Sequence, residues 1–327
     1  MATQPLHLIP ADLTAHVRRE ARVELGFRWL TWGAAALVLA LLAGVIASLI
    51  VISRPALTKF GFGFLVDSTW NPVTERFGAA APLYGTVVTS LIAMLIAVPI
   101  SFGIAVFMTE TCPRALRTPI NTGIELLAAI PSIVFGIWGL FVLGPILQHT
   151  VQPWLIERVG PLPIIGALFQ GPPYGIGLLT AGLVLAIMVL PYITAVMREV
   201  FQMTPQSLKE AAYGIGATQS EVVWGVVVPW SRPGVIGGVM LGLGRALGET
   251  MAVTFVVGNA HRVPVSLLAP GTTISATIAN EFTEAYSDMY TSSLIALGLI
   301  LFVLTFTIIA AARLLLLRVE RGGSRRI

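Results

Sequence analysis

The sequence predicts an all-α integral membrane protein: six transmembrane helices with a short cytoplasmic helix between the fourth and fifth. Three observations predict it. Of 327 residues, 56% are hydrophobic and only 11% charged, with a mean hydropathy of +0.85, whereas soluble domains carry about 25% charged residues. Six apolar runs are each long enough, at about 1.5 Å per residue, to cross a hydrocarbon core about 30 Å thick. The basic residues are spread unequally over the segments between those runs.

Taken in order, residues 1–28 carry Arg18, Arg19, Arg22 and Arg28 and form a polar cytoplasmic lead-in, interfacial if helical, with no secretory leader evident. The first span, 29–53, is then expected to serve as the membrane address. A polar segment leads to the second span, 84–108, with Pro99 and Gly103 as kink points. The third span is expected over 120–147, with Glu125 near its start and Pro131 inside it, followed by a Pro/Gly-rich loop over 148–173. Trp154 and Phe169 of that loop suit interfacial anchors. The fourth span is 175–197, the fifth 234–257 and the sixth 290–317, which completes a transmembrane region 29–317 ahead of an Arg-rich tail, 318–327.

With both termini inside, the inner segments hold 14 of the 20 basic residues: Arg18, Arg19, Arg22, Arg28, Arg114, Arg117, Arg198, Lys209, Arg232, Arg313, Arg318, Arg321, Arg325 and Arg326. The outer segments hold 5, Arg54, Lys59, Arg76, Arg158 and Arg262, and Arg245 in the membrane completes the 20. The bias places the termini and the stretch 198–232 in the cytoplasm.

The fifth span carries the anomaly. Arg245 and Glu249 sit near its middle, where each charge costs roughly 2.5–3.5 kcal/mol on the insertion scale. Their spacing of four puts them on one helix face, able to neutralise each other in part. Gly238 and Gly242 share nearly that face and either admit another helix or leave a cavity beside the charges. Two readings stand: an ion pair locking two helices together, or an ion or anion pathway.

The stretch 198–232 interrupts the hydrophobic pattern. Thr204 suits an N-cap, Pro205 the first helical position, and Gly214 or Gly216 the helix end; a second short helix is expected from Thr218 to just before Pro229. Such a knob is either an amphipathic hairpin on the bilayer or a docking surface for a soluble partner.

Here motifs carry a resemblance. Glu210-Ala211-Ala212, then Gly216, then Val226-x-Val228-Pro229 resembles the EAA loop of prokaryotic ABC importer permeases, written EAA-x3-G-x9-I-x-L-P, with Val226 and Val228 as conservative departures. Gly244-Arg-Ala-Leu-Gly-Glu-Thr-Met-Ala-Val253 with Val257-Gly-Asn259 is similar to the fifth span of phosphate-importer permeases. So are Trp70-Asn-Pro-Val-Thr74, Tyr84-Gly-Thr86 and Ile124-Glu-Leu-Leu-Ala-Ala-Ile-Pro-Ser132, and the likeness covers about residues 65 to 258. The resemblance implies that Glu210, Ala211, Ala212, Gly216 and Pro229 belong to the element that couples to an ATPase, and that Arg245 and Glu249 line the substrate path. It implies as partners a second permease subunit, a dimer of ATP-binding subunits, an extracytoplasmic phosphate-binding protein, phosphate and the lipid bilayer. Sulfate or molybdate is the alternative substrate within the same family, and an ion-coupled secondary transporter the alternative outside it.

Several classes are excluded. Lys59 is followed by Phe60 and Lys209 by Glu210, so no P-loop Gly-Lys-Ser/Thr exists and ATP hydrolysis belongs to another subunit. Cys112 is the single cysteine and leaves no disulfide or CxxC site. His7, His16, His149 and His261 are scattered, form no zinc motif and read as solvated loop residues; neither metal nor cofactor is expected. Two lysines are too few for a nucleic-acid surface, and no nucleophile–base constellation marks an enzyme. The aromatic residues show no cage-like clustering and read as interface anchors and packing.

Overall fold

The computed structural model describes residues 11–163 and 165–323, with side chains from 23 to 314. The tips of the lead-in and tail, 1–10 and 324–327 with Arg325 and Arg326, lie outside the described residues. The elements are α1 (Ala11–Phe60), α2 (Gly63–Val66), a ribbon of β1 (Trp70–Asn71) and β2 (Arg76–Phe77), α3 (Ala80–Val106), α4 (Arg114–Ala129), α5 (Ser132–Trp138), α6 (Gly144–Ile146), α7 (Gln152–Arg158), α8 (Leu178–Gln202), α9 (Gln206–Gly214), α10 (Gln219–Val222), α11 (Val228–Gly248), α12 (Met251–Val256), α13 (Ile274–Glu281) and α14 (Asp288–Gly323). Among the described residues, six helical stretches are long and apolar enough to cross a membrane: Val23–Phe60, Ala80–Thr111, Ser132–Arg158, Leu178–Gln202, Gln219–Gly248 and Asp288–Leu314.

The chain divides into two compact units, Met1–Ile52 and Ser53–Ile327. In the first, the apolar side chains from Val23 onward are exposed except for half-buried Ile46 and Leu49, as suits a surface solvated by lipid. Trp29 and Trp32 sit at the end nearer the arginines, where amphipathic rings favour a membrane interface.

The second unit is built around α8, the most buried of the six stretches. Its core joins Val184, Leu185, Val189, Ile193 and Met197 of α8 to Ala93 and Ala97 of α3, Ala246 of α11, and Val253 and Val256 of α12. Without a hydrophobic drive between helices in lipid, small residues that allow close packing decide these contacts. A Cβ on Gly182 would lie 2.6 Å from Ile92 Cγ2, so α3 and α8 touch through that glycine. A Cβ on Gly234, Gly238 or Gly242 of α11 would lie 2.3, 3.1 and 2.5 Å from Val200, Val196 and Ile193 of α8. The glycine face of the fifth span therefore admits a helix; it does not leave a cavity. A smaller cluster of Phe64, Phe77, Ile274, Tyr290, Leu294 and Leu297 packs the ribbon and α13 onto the start of α14.

Several boundaries differ from the sequence expectation, each for a backbone reason. The first helix runs through Arg54 and Pro55 to Phe60. Pro131 does not kink a span; it caps α5 and separates it from α4, which has no buried residue. The third membrane-length helix is thus Ser132–Arg158, and the first part of the expected 148–173 loop is helical. Nor does a helix end at Pro229. A π turn over Val223–Val227 leads into α11, with Pro229 in its first turn. Proline removes one backbone donor and clashes with the carbonyl four residues back, and a π turn rearranges the ladder there.

Candidate functional site

The fifth span is broken at its charged centre. α11 ends at Gly248, Glu249 is extended (φ −68°, ψ 131°), and α12 starts at Met251. The spacing of Arg245 and Glu249 therefore does not place them on one helix face. No carboxylate lies within 4.0 Å of Arg245 among the described residues. Glu249 turns instead to the following helix, its Oε1 accepting the Ala252 N–H at 3.2 Å, which satisfies one of the orphan donors of a helix start. Arg245 lies in the last turn of α11, where a cation complements the partial negative charge of the helix end. Its guanidinium carbon sits 4.8 Å from the Tyr192 ring centroid, and its Nε is buried without a hydrogen-bond partner. The centre of the span thus holds a half-buried cation braced by a ring, with unspent N–H donors. Such a group can receive an oxyanion.

The stretch between α8 and α11 carries the second motif singled out in the sequence. Pro205 takes the cap position of α9, so Thr204 does not cap it, and Thr204 Oγ1 is buried without a partner. The helix ends in a Schellman arrangement: Ala217 N–H donates to Ala212 C=O at 3.1 Å and Gly216 N–H to Tyr213 C=O at 3.0 Å. Gly216 has φ +90°, a conformation that residues with side chains rarely adopt, which is a physical reason for glycine at that place in the motif. Thr218 and Glu221 then form a capping box that starts α10. Glu210 and Ala211 are exposed, Ala212 packs against the core, and Pro229 is exposed. Exposed Met203, Leu208, Tyr213 and Ile215 lie on or beside α9.

What pins α9 to the membrane region is a pair the motif does not contain. Lys209 Nζ lies 2.6 Å from Glu110 Oε1, with side chains only 11% and 7% exposed. Glu110 lies in the π turn Phe107–Thr111 that ends the second membrane-length stretch. Gln219 Nε2 donates to the Glu110 carbonyl at 2.7 Å. Both flanks of the α9 turn are thereby tied to one point at the end of α3.

The comparisons with known proteins fit this arrangement. Residues 97–321 match the family described as binding-protein-dependent transport system inner membrane component. The phosphate transport system permease protein PstC of Mesorhizobium japonicum is 61% identical over 97% of each chain. The chain belongs to the PstC family of these permeases. PstC of Haemophilus influenzae is 51% identical, covering 91% of this chain and 95% of that one. A probable PstC of Methanocaldococcus jannaschii is 40% identical, covering 76% and 80%. Among solved structures, a bacterial alginate ABC transporter with an alginate pentasaccharide-bound periplasmic protein has TM-score 0.58 at 15% identity, covering 88% of this chain and 94% of that one. A second alginate importer gives TM-score 0.53 at 17% identity, covering 91% and 99%. At those identities the likeness concerns the fold. The family consists of multi-pass membrane permeases of ABC transporters, which work in complexes with other subunits.

Other side chains lie where sequence reasoning did not put them. Glu125 stands on α4, mostly exposed, and accepts from Asn121 Nδ2 at 2.7 Å. His261 is not a solvated loop residue: its Nε2 lies 2.7 Å from Glu281 Oε1, and its ring stacks on Trp70 at 5.3 Å. Glu281 also accepts from Trp70 Nε1, and from Tyr290 OH at 2.6 Å. Burial pushes the Glu281 carboxyl up, but the hydrogen bonds from His261, Tyr290 and Trp70 outweigh it and hold it below the ordinary value of 4.5. Phe77 stacks on Tyr290 and meets Trp70 edge-on, so the aromatic residues do cluster here. His149 is exposed on a π turn; His7 and the side chain of His16 lie outside the described residues.

Proposed function

We propose that this chain is one permease subunit of an ATP-driven importer that carries inorganic phosphate by alternating access, with Arg245 as the phosphate contact in the membrane. The observation that carries the reading is the unpaired guanidinium at the break of the fifth span. A charge placed in an apolar span without a counter-charge is costly, and a dianion passing through supplies one. Glu249, held at the same break, places a negative charge beside the path and shortens the stay of the anion. Phosphate is favoured over sulfate or molybdate because relatives 61% and 51% identical carry phosphate in their names.

The other subunits follow from what this chain lacks. A second permease subunit resembling PstA completes the path, a dimer of ATP-binding subunits supplies energy, and an extracytoplasmic phosphate-binding protein delivers substrate. α9, with exposed Glu210 and Ala211 and the apolar side chains beside it, is the contact for an ATP-binding subunit. Its pin to Glu110 passes movement to the end of α3. Both termini and α9 face the cytoplasm, in line with the distribution of arginines.

The test is labelled-phosphate uptake into proteoliposomes holding all four components, ATP inside, sulfate as competitor and Arg245→Gln in parallel. The expected result is ATP-dependent uptake that resists sulfate and falls at least about tenfold in Arg245→Gln, a loss of about 1.4 kcal/mol of stabilisation or more. Uptake blocked by sulfate overturns the substrate, and uptake indifferent to ATP overturns the importer.

A further inference from the structure

A second place in the molecule combines a cavity with guanidinium groups that have only long contacts within the chain, and it is far in sequence from Arg245. A pocket of about 280 Å³ is lined by Met108, Arg117, Thr118, Asn121, Arg198 and Gln202. Three elements converge there: the π turn after α3, the middle of α4, and the last turns of α8. All lining residues but Met108 are polar, and two are cationic.

Neither cation is satisfied by the protein. The Arg198 side chain is 21% exposed, and its Nε is buried with no hydrogen-bond partner. Its nearest carboxylate oxygen, Glu125 Oε1, stands 4.0 Å from Nη2, beyond hydrogen-bond distance, on a side chain that is 62% exposed and already bonded to Asn121. Arg117 makes one long bond, Nη2 to the Thr109 carbonyl at 3.4 Å. Each guanidinium presents several N–H donors in a planar fork, so most of this donor capacity is unused. Two like charges beside one cavity repel, and a mostly buried guanidinium without a close counter-ion is costly. A tetrahedral oxyanion relieves both at once by accepting from two forks.

We infer that this pocket is a second phosphate-group site, formed by Arg117 and Arg198 with Thr118, Asn121 and Gln202 as further polar contacts. Both arginines belong to segments that the charge bias assigns to the cytoplasm, so two sources can supply the same chemistry: inorganic phosphate inside the cell, or the phosphodiester of an anionic lipid headgroup. The site has a mechanical consequence in either case. Met108 and the Thr109 carbonyl belong to the π turn that also carries Glu110, the anchor of Lys209. An anion bridging Arg117 and Arg198 ties α4 and α8 together beside the turn on which α9 is pinned. This consequence rests on the proposed role of α9; the binding site itself does not.

The test is arginine footprinting with phenylglyoxal on the assembled transporter in nanodiscs, read residue by residue by peptide mapping. Nanodiscs are made of phosphatidylcholine alone or with added phosphatidylglycerol, with inorganic phosphate or chloride at matched ionic strength. Protection slows modification of Arg198 by the factor 1 + [L]/Kd, about tenfold at an anion concentration near ten times Kd. Protection by inorganic phosphate in neutral lipid establishes the site with a free anion as occupant, and protection by phosphatidylglycerol without phosphate establishes it with a headgroup. Arg117→Gln is expected to remove the protection of Arg198, and Arg117→Lys, which keeps charge and loses the fork, to weaken it. Equal modification of Arg198 in every condition overturns the site, as does protection unchanged in Arg117→Gln. Protection of Arg245 by phosphate, with Arg198 protected neither by phosphate nor by phosphatidylglycerol, leaves the transport reading standing and overturns this one.

Discussion

The pin between α9 and the end of α3 gives the sharpest quantitative expectation. Replacing Glu110 by Gln leaves the Lys209 ammonium, 11% exposed, facing a neutral amide. Removing one partner of a buried pair costs about 3–5 kcal/mol, since the remaining charge is left uncompensated. Solvent screening discounts little of that at these exposures. α9 has no buried residue of its own and reaches the core only through partly buried Ala212, so the cost falls on the docking of α9 and not on the six-span bundle. The lower figure, about 3 kcal/mol, corresponds to roughly a hundredfold shift in the opening equilibrium. Amide hydrogen exchange of residues 206–216, measured on the two permease subunits without their ATPase, should accelerate by that factor in Glu110→Gln and in Lys209→Met. The double variant Glu110→Met with Lys209→Met should recover most of the protection, because two apolar groups leave no stranded charge. In the full transporter the single variants should hydrolyse ATP with less phosphate moved per ATP. Exchange in Glu110→Gln equal to wild type, or a double variant no better than either single one, refutes the pin.

Three further outcomes are expected. Gly216→Ala forces a side chain into φ +90° and should destabilise the α9 turn by about 1 kcal/mol or more, seen as faster exchange at Ile215–Ala217; an unchanged rate would contradict the Schellman reading. Gly242→Leu drives atoms against Ile193 Cγ1 and Cδ1, 2.5 and 2.6 Å from a Cβ at that position, and should cost at least about 1–3 kcal/mol of bundle stability. Gly237→Ala on the same helix meets nothing within 4 Å and should be neutral or stabilising in thermal melts. The third concerns pH. The folded value of Glu281 lies below 4.5, so its knot with His261, Tyr290 and Trp70 contributes stability in full above the unfolded carboxylate value and loses it as pH falls through the lower folded one. Glu281→Gln should lower the melting temperature at neutral pH, with the gap closing only below about pH 4.

What was legible in the chain and what was not divides along the range of the interaction. Long apolar runs announce spans, and Gly216 six residues after Glu210 announces a helix end, because the cause lies within one turn of the effect. Pro131 and Pro229 show the limit of that reading: a missing N–H disturbs the ladder at both, yet one separates two helices and the other rides through on a π turn. The knot around Glu281 joins residues up to 211 positions apart, and no local pattern points to it. Two cations, Arg245 and Lys209, make the case most clearly. Arg245 stands out in the sequence as a charge in an apolar run, and helical spacing offers the nearest acid, Glu249, as its partner. Lys209 raised no alarm, since it lies in a polar stretch. The fold reverses the two: Lys209 receives a buried carboxylate from 99 positions away, while Glu249 turns to cap α12 and leaves Arg245 with a ring and an unpartnered Nε. A cation already matched by the protein has little left to offer a passing anion. Of the two, only the unmatched one retains donors that a substrate can use, and it is the one at the break of a span.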